Sequence, residues 1–367
     1  MDLNPSPDQE MLRESARVFL AREWPASRVR EMERDPLGYD PGIWRRVAEL
    51  GWLGMTLPEG AGGGGRTFLD LALLLEETGR HLFASPLAAH AAVAAPLLER
   101  LAPRARWLPD AASGRVLTVL ALAEPGWRNE LGLVRLEARA EGDAVVLSGT
   151  KLFVPFAAAA HRLLVVARLG GASIIAVVEC DAPGVRVERL ATLDGGHRYE
   201  VALEKVRVRR DSCFGPADVE AALRDALRRG AVAALAEATG AAERVIEMTV
   251  EYAKTRVQFG RPIGSFQAVA HRCADMRADV DALRILVRQA AWKLSRGGDH
   301  DLEVGAARAF GVEALRRVAV NAHQVHGAIG FSTECDLQLF TRRMKAAELE
   351  WGGASVHREL VARAMGL

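Results

Sequence analysis

The stretch from Arg256 to Gln267, RVQFGRPIGSFQ, interrupts a long helical pattern with arginine, glutamine, aromatic and glycine residues in one short break. An arginine beside exposed backbone N–H groups at the start of a helix favours the binding of an anion. The guanidinium of Arg256 offers a fork of donors, which fits a diphosphate better than the compact charge of a lysine. The sequence therefore predicts that this segment holds a phosphorylated cofactor.

Two other stretches complete a pattern that resembles a known family. Residues 121–126 read ALAEPG, and residues 324–331 read QVHGAIGF. Together with RVQFG they resemble, in the same order, three motifs of the acyl-CoA dehydrogenase family: a hydrophobic-x-T-E-P-G loop, an R-x-x-F-G segment before a helix that carries a glutamine, and a Q-x-x-G-G-x-G-F turn. The resemblance covers nearly the whole chain and indicates a divergent member that lacks the family's usual catalytic glutamate.

The composition is that of a globular protein with no global charge bias. A chain of 367 residues exceeds what one hydrophobic core usually supports, so two or three packed units are expected. Lys and Arg number 48 and Asp and Glu number 47, which gives a formal charge of +1. This balance provides no drive toward nucleic acid or an anionic membrane, so any phosphate binding must be local.

The four cysteines form no C-x-x-C pair, so the sequence predicts neither a zinc site nor a redox dithiol. No metal site is predicted from the histidines either, because none is spaced for metal binding with a second histidine and a carboxylate. The N-terminus shows no signal peptide, and no apolar run is long enough to cross a membrane. A cytoplasmic protein with reduced thiols is expected.

The order of predicted elements is helices, then strands, then helices. Residues 1–113 read as helical: Ser6 precedes a proline as at a helix start, and residues 69–79 predict a helix that ends on Gly79. Residues 114–213 contain short alternating runs at hairpin spacing, including residues 134–141. Residues 217–367 return to helical periodicity, with long amphipathic stretches at 267–296, 302–327 and 336–348.

These boundaries predict an α+β fold with three domains. They are an N-terminal helical domain (1–113), a central antiparallel β-barrel or sandwich (114–213) and a C-terminal four-helix bundle (217–367). The acyl-CoA dehydrogenase family has the same layout. In that family the C-terminal bundles form the core of a dimer or a tetramer.

The resemblance implies FAD as the cofactor and an acyl-CoA thioester as the substrate. In the family a carboxylate removes the α proton, the β hydrogen leaves as hydride to the flavin, and the electrons pass to an electron-transferring flavoprotein. The chemistry needs a base shielded from water, donors on the thioester oxygen and a flavin close to the β carbon.

Residues of the C-terminal domain match family positions that contact FAD. By resemblance, Arg256 and Phe259 contact the diphosphate and adenosine of an FAD held mostly by a neighbouring subunit. Gln324 and Gly327 approach from the same bundle, and Gln267 matches the family's helix glutamine. The alternative for Arg256 is a surface ion pair with Glu251 or another carboxylate, and the alternative for the glutamines is ordinary polar contact between helices.

The β domain carries the residues expected beside the flavin ring. Leu122 and Ala123 lie where the family offers backbone groups and a threonine hydroxyl, which Ala123 lacks. Residues 151–155, KLFVP, match the family's K-x-W-I-T/S. Phe153 replaces the tryptophan and can stack on the isoalloxazine, with a simple core role as the alternative. Val154 follows it, and Pro155 replaces the residue whose hydroxyl faces the flavin.

The catalytic base is the point at which the sequence departs from the family. Trp351 stands at the usual glutamate position, and Gly230 stands at the position that a second group of members uses. Glu350, one residue earlier, is the candidate base. His357 is a less conventional candidate. Three further carboxylates are expected to be solvated or ion-paired: Glu237, Glu334 and Glu348.

Three functions remain open at this point. The first is a working acyl-CoA dehydrogenase, homodimeric or homotetrameric, with a relocated base. The second is a base-less, non-catalytic subunit of a hetero-oligomer with a second acyl-CoA dehydrogenase subunit, as in family pairs that act on bulky steroid side-chain thioesters. The third is a flavin oxidase or monooxygenase on the same scaffold.

Overall fold

The computed structural model describes residues 3–103, 105, 107–127 and 131–367. Within these residues the chain forms two compact units, and each is described separately. The bundle unit comprises residues 3–30, 68–83 and 231–367. The sheet unit comprises the described parts of residues 31–67 and 84–230.

The described residues before the first strand are helical, as predicted. Six α-helices and a π-helical segment at Ala88–Ala94 occur there: α1 (Pro7–Glu23), α2 (Ala26–Arg34), α3 (Pro41–Glu49), α4 (Phe68–Arg80), α5 (Ala95–Leu101) and α6 (Leu108–Ala112). The start predicted for α1 is confirmed. The Ser6 hydroxyl accepts the N–H of Gln9, and the Gln9 side chain accepts the N–H of Ser6. This reciprocal pair satisfies two amide groups that a helix start leaves unbonded.

The sheet unit is built around one large sheet. Its strands are β1 (Thr118–Ala121), β2 (Glu137–Glu141), β3 (Ala144–Pro155), β4 (Arg162–Leu169), β5 (Ala172–Glu179), β6 (Val185–Leu190), β7 (Arg198–Arg209) and β8 (Cys213–Phe214). The order is β6-β7-β3-β2-β4-β5-β8, with β1 also paired to β4. The predicted class is confirmed, but the sheet is mixed because β1 and β2 run parallel to β4. Parallel neighbours need crossovers, which hairpin spacing does not reveal.

The strand predicted from residue 134 begins later than expected. β2 starts at Glu137, and the preceding backbone is used differently. The N–H groups of Arg135 and Leu136 donate to the Glu124 carboxylate at 2.8 and 3.1 Å. The alternation of apolar and charged residues therefore starts before the first residue that pairs with a neighbouring strand.

Long helices follow the sheet. They are α7 (Pro216–Thr255), α8 (Gln267–Arg296), α9 (Asp301–His326), α10 (Leu337–Leu349) and α11 (Ala354–Ala364), with a small hairpin of β9 (Val257–Gln258) and β10 (Arg261–Pro262) between α7 and α8. The predicted helical stretches match α8, α9 and α10 within a residue at either end. No helix in the described part of the chain combines the length and apolar character needed to cross a bilayer.

Within the bundle unit, α4 and α7 cross in close contact at two glycines. A Cβ atom added at Gly79 would overlap the backbone of Glu237, and one added at Gly240 would overlap the carbonyl oxygen of Glu76. The prediction that α4 ends at Gly79 was wrong, since α4 continues to Arg80. Gly79 is a point of backbone approach between helices and not a helix terminus.

A half-buried ionic network joins α4, α7 and α8. Arg284 donates to Glu76 at 2.6 Å and to Glu243 at 2.5 Å, and Arg277 donates to Glu243 at 2.7 Å. Burial on its own would raise the pKa of Glu243, but the hydrogen bonds from Arg277 and Arg284 outweigh it and lower this pKa to about 2. The network fixes the relative positions of three helices of the bundle unit.

Candidate functional site

The link between α7 and α8 exposes the residues that the sequence assigned to cofactor binding. Residues 256–260 are all exposed, and the Phe259 side chain is 92% exposed with φ +52°. The Arg256 carbonyl accepts the N–H of Ile263 at 2.8 Å, which closes the break. A left-handed backbone at an aromatic residue is unusual and is found mainly where function requires it.

The Arg256 guanidinium is available to a ligand. The alternative was an ion pair with Glu251 or another carboxylate, but the Glu251 carboxylate binds the Lys254 ammonium at 2.8 Å. Among the described residues, no acceptor lies within hydrogen-bond distance of the Arg256 side chain. The geometry of this segment therefore fits an anion site better than a surface ion pair.

The end of α9 lies beside the end of α7. The rings of Tyr252 and His326 stack with centroids 4.6 Å apart, and Tyr252 lies one turn before Arg256. Gly327 follows His326 directly, has φ +66°, and no atom lies within 4 Å of where its Cβ would be. The open space at Gly327 permits the close approach of a ligand to the backbone.

The two glutamines of the predicted site are exposed at the same end of the bundle unit. Gln267 is the first residue of α8, and Gln324 lies in the last turn of α9. Arg272 donates to Asn321 at 2.7 Å, which ties the start of α8 to the end of α9. The bundle unit therefore gathers the predicted residues at one end, namely Arg256, Phe259, Gln267, Gln324 and Gly327.

In the sheet unit, a buried ion pair anchors the loop that follows β1. The Lys151 ammonium, fully buried, donates to Glu124 at 2.5 Å and to the Leu122 carbonyl at 3.0 Å. The N–H of Leu152 donates to the Ala123 carbonyl at 2.8 Å. Desolvation lowers the pKa of Lys151 to about 8 despite the Glu124 carboxylate. The carbonyls of Leu122 and Ala123 are thus already bonded.

Phe153 projects from an irregularity in β3. The β3–β7 register shifts between Lys151 and Val154, and Phe153 has φ +54° in this gap. Its side chain is 58% exposed, whereas Val154 is buried. The core role considered for Phe153 does not fit this exposure. A bulge that turns an aromatic ring outward provides a surface for stacking on a flat ligand.

The segment after α10 carries the position of the family's base. Trp351 has φ +58° and is followed by Gly352 at φ +93°. Glu350 caps the helix with extended backbone and a half-buried side chain. Its carboxylate interacts electrostatically with the Arg308 guanidinium.

The other candidate bases have structural partners. Glu348 is buried and bonds Lys345 at 2.7 Å. The Thr78 hydroxyl lies 3.4 Å from the carboxylate of Glu237, and Glu334 is exposed. The Nε2–H of His357 donates to the Trp351 carbonyl at 2.8 Å, so this nitrogen cannot accept a proton. The described residues contain no cluster of side chains able to hold a metal ion.

Comparisons with known proteins show which family the chain belongs to. A model of the acyl-CoA dehydrogenase N-terminal domain matches residues 6–115, and one of the C-terminal domain matches residues 221–366. The chain is 32% identical to acyl-CoA dehydrogenase FadE27 of Mycobacterium tuberculosis, over 91% of this chain and 90% of that protein. The chain belongs to the acyl-CoA dehydrogenase family.

Two other relatives cover nearly the full length. The chain is 30% identical to the probable acyl-CoA dehydrogenase YngJ of Bacillus subtilis, over 99% of both proteins. A solved structure of the ChsE4–ChsE5 complex from M. tuberculosis superposes with a TM-score of 0.90 at 30% identity, covering 100% of this chain and 99% of that one. Members of the acyl-CoA dehydrogenase family are FAD-binding oxidoreductases that act on CH–CH donors, and this chain is an enzyme of that type.

The residues present fit the acyl-CoA dehydrogenase cofactor. In the bundle unit, Arg256 offers a guanidinium to a diphosphate, and Gly327 leaves room for it. In the sheet unit, Phe153 offers an exposed ring to the isoalloxazine. When bound, FAD supplies the acceptor for a hydride.

Some residues that shape these sites were not predicted from the sequence. Lys151 and Glu124 lie within motifs quoted above, but only the fold shows that they pair. The one sequence signal for this ion pair is that each motif places a single charged residue of opposite sign among apolar neighbours. Arg308 lies within an otherwise small and apolar stretch of α9, which is also a signal of a buried polar contact. The stack of Tyr252 on His326 had no sequence signal.

Proposed function

We propose that this protein takes part in the α,β-dehydrogenation of an acyl-CoA thioester, with electrons leaving to an electron-transferring flavoprotein. The supporting observation is the unbonded Arg256 guanidinium on the exposed link after α7, in a chain of this family. Phe153 adds a stacking surface in the sheet unit. These residues bind and orient the cofactor, and the residues around Trp351 face the thioester.

We infer that the chain acts in this reaction as the subunit without a base, in a hetero-oligomer with a second acyl-CoA dehydrogenase chain. The observation that favours this role is the loss of a carboxylate at both family positions, which hold Trp351 and Gly230. The relative ChsE4–ChsE5, which is described as a complex, supports the proposal. The carboxylate that removes the α proton then belongs to the partner subunit.

The second candidate is a self-sufficient homo-oligomer in which Glu350 removes the proton. Its half-buried position directly before Trp351 favours it. The two candidates make different predictions for the protein expressed alone.

The test compares the chain expressed alone with the chain co-expressed with a partner encoded by a neighbouring gene. Each preparation is titrated anaerobically with short, branched and sterol-type acyl-CoA thioesters, and flavin bleaching is followed by absorbance. Bleaching only in the co-expressed complex supports the hetero-oligomer. Bleaching in the chain alone, abolished in Glu350→Gln, supports the second candidate.

Two results would contradict the proposed reaction. One is the absence of bound FAD in every assembly, including crystals soaked with FAD. The other is rapid reoxidation of the reduced flavin by oxygen with release of peroxide, which would indicate an oxidase or monooxygenase.

A further inference from the structure

A buried arginine of α9 holds the segment that carries the base position. Arg308 is fully buried. Its Nη1 donates to the Ala347 carbonyl at 3.0 Å, and its Nη2 donates to the carbonyls of Gly352, at 2.8 Å, and Glu350. Burial lowers the pKa of Arg308 to about 10, which still leaves it charged at neutral pH. One side chain therefore determines the path of the backbone after α10.

A second side chain completes the hold on this segment. His357 of α11 donates to the Trp351 carbonyl at 2.8 Å. Three consecutive carbonyls, those of residues 350, 351 and 352, are thus bonded by side chains of α9 and α11. A tryptophan at φ +58° is strained and persists only where the surroundings impose that conformation.

The direction of the Trp351 N–H follows from peptide geometry. In a planar trans peptide, the carbonyl of one residue and the N–H of the next point in opposite directions. Because Arg308 takes the Glu350 carbonyl, the Trp351 N–H is directed away from the Arg308 guanidinium. In the described part of the chain no acceptor is in reach of this N–H.

We propose that Arg308 is a positioning residue that aims the Trp351 N–H at the carbonyl oxygen of a bound acyl thioester. The inference rests on the proposed function, since it requires the thioester to bind next to Trp351. A backbone donor does not depend on the side chain at its position. This chain can therefore keep a backbone donor for the thioester oxygen although tryptophan replaces the base.

A purely structural role for Arg308 is the alternative, and carbonyl polarisation separates the two. The probe is a cinnamoyl-type thioester of CoA, whose absorption band moves to the red when its carbonyl accepts hydrogen bonds. The protein is used with FAD bound and with its partner subunit where one is needed. Binding of the probe is measured separately, so that affinity and polarisation are both known.

Two variants and one control test the role of Arg308. Arg308→Lys keeps the charge but reaches fewer carbonyls, and Arg308→Gln removes the charge, so that no unpaired cation is buried. Arg317→Met, on the same helix and exposed, is the control. We expect most of the red shift to be lost in both Arg308 variants, with probe affinity about tenfold lower, and no change in the control.

The outcomes separate failure of the inference from failure of the proposed function. A full red shift in a folded Arg308→Lys or Arg308→Gln protein would overturn the positioning role and leave the function intact. No shift in the wild type would count against thioester binding at this chain's own site. Amide hydrogen exchange at Trp351 is the second measurement: binding of the probe should slow it in the wild type and not in Arg308→Lys.

Discussion

At the scale of single residues, Arg256 and Phe153 are exposed, whereas Lys151 and Arg308 are buried and donate to backbone carbonyls. Arg256 and Phe153 could be proposed as cofactor contacts from the sequence, because a guanidinium and an aromatic ring can bind a ligand wherever they are exposed. Lys151 and Arg308 could not, because their role depends on which carbonyls the fold brings near them. Resemblance alone aligns Trp351 with the family's base position, and the structure adds that Trp351 has a strained backbone with φ +58°.

Phe153 should contribute to flavin binding and little to folding. Because its ring is mostly exposed, Phe153→Ala should change the free energy of unfolding of the FAD-free protein by less than about 0.5 kcal/mol. Loss of an aromatic stack should weaken FAD binding by about tenfold. Isothermal titration with FAD measures this change. Leu193→Ala, another exposed apolar residue of the sheet unit, is the control, and equal affinities in both variants would exclude the stacking role.

Removing one member of the Lys151–Glu124 ion pair should destabilise the protein more than replacing both members with uncharged residues. Lys151→Met leaves the Glu124 carboxylate buried without its ammonium partner, which should lower the free energy of unfolding by about 3–5 kcal/mol. The double variant Lys151→Met/Glu124→Gln should recover part of this loss. Urea unfolding provides the comparison. If the single and double variants are equally stable, the two charges are not coupled in the fold.

At the scale of elements, periodicity predicted the long helices but did not predict the contacts between segments that are distant in sequence. The limits of α8 and α9 follow from apolar repeats and glycine breaks that lie within each segment. The parallel pairing of β1 with β4 and the role of Gly79 depend on residues distant in sequence. A glycine looks the same in a sequence whether it ends a helix or lets another helix approach.

The crossing of α4 and α7 should tolerate no side chain at Gly240. In Gly240→Ala the new Cβ would overlap the Glu76 carbonyl, so the helices must separate and nearby core contacts are lost. We expect the free energy of unfolding to fall by about 2–4 kcal/mol. Thermal and urea unfolding measure the change. Gly60→Ala, where no atom lies within 4 Å of the added Cβ, should be near neutral, and similar values for both would refute a close crossing.

The ionic network of Glu243, Arg277 and Arg284 should make the free energy of unfolding depend on pH over a defined acidic range. The pKa of Glu243 is about 2 in the folded protein, compared with 4.5 for a glutamate of the unfolded chain. As the pH falls, the unfolded chain therefore binds the proton before the folded protein does. The stabilisation is complete above about pH 4.5 and is lost as the pH falls toward 2. The stability difference between wild type and Glu243→Gln should therefore narrow over this range. The exposed Glu359→Gln is the control, and a constant difference for Glu243→Gln would contradict the depressed pKa.

At the scale of the whole molecule, exposed apolar side chains near the end of α9 lead us to predict a subunit contact there. Val320 and His323 share a helix face, and the Phe331 ring stacks on His323 with centroids 4.2 Å apart. Val320 and Phe331 are 61% and 70% exposed, and Ile329 is exposed as well. Exposed apolar side chains that lie near one another on a surface are typical of subunit contacts.

Val320→Asp should therefore reduce the oligomeric state, because it places a charge in an interface that excludes water. Sedimentation velocity should show a smaller species for this variant at concentrations where the wild type is assembled. Val18→Asp, with a similarly exposed valine on α1, should sediment as the wild type does. If Val320→Asp also assembles normally, the end of α9 is not a subunit contact. Gln324 and Gly327, which we propose to contact FAD, lie on the same stretch. Loss of assembly in Val320→Asp should therefore be accompanied by loss of bound flavin, whereas an effect on assembly alone would show that the two surfaces are separate.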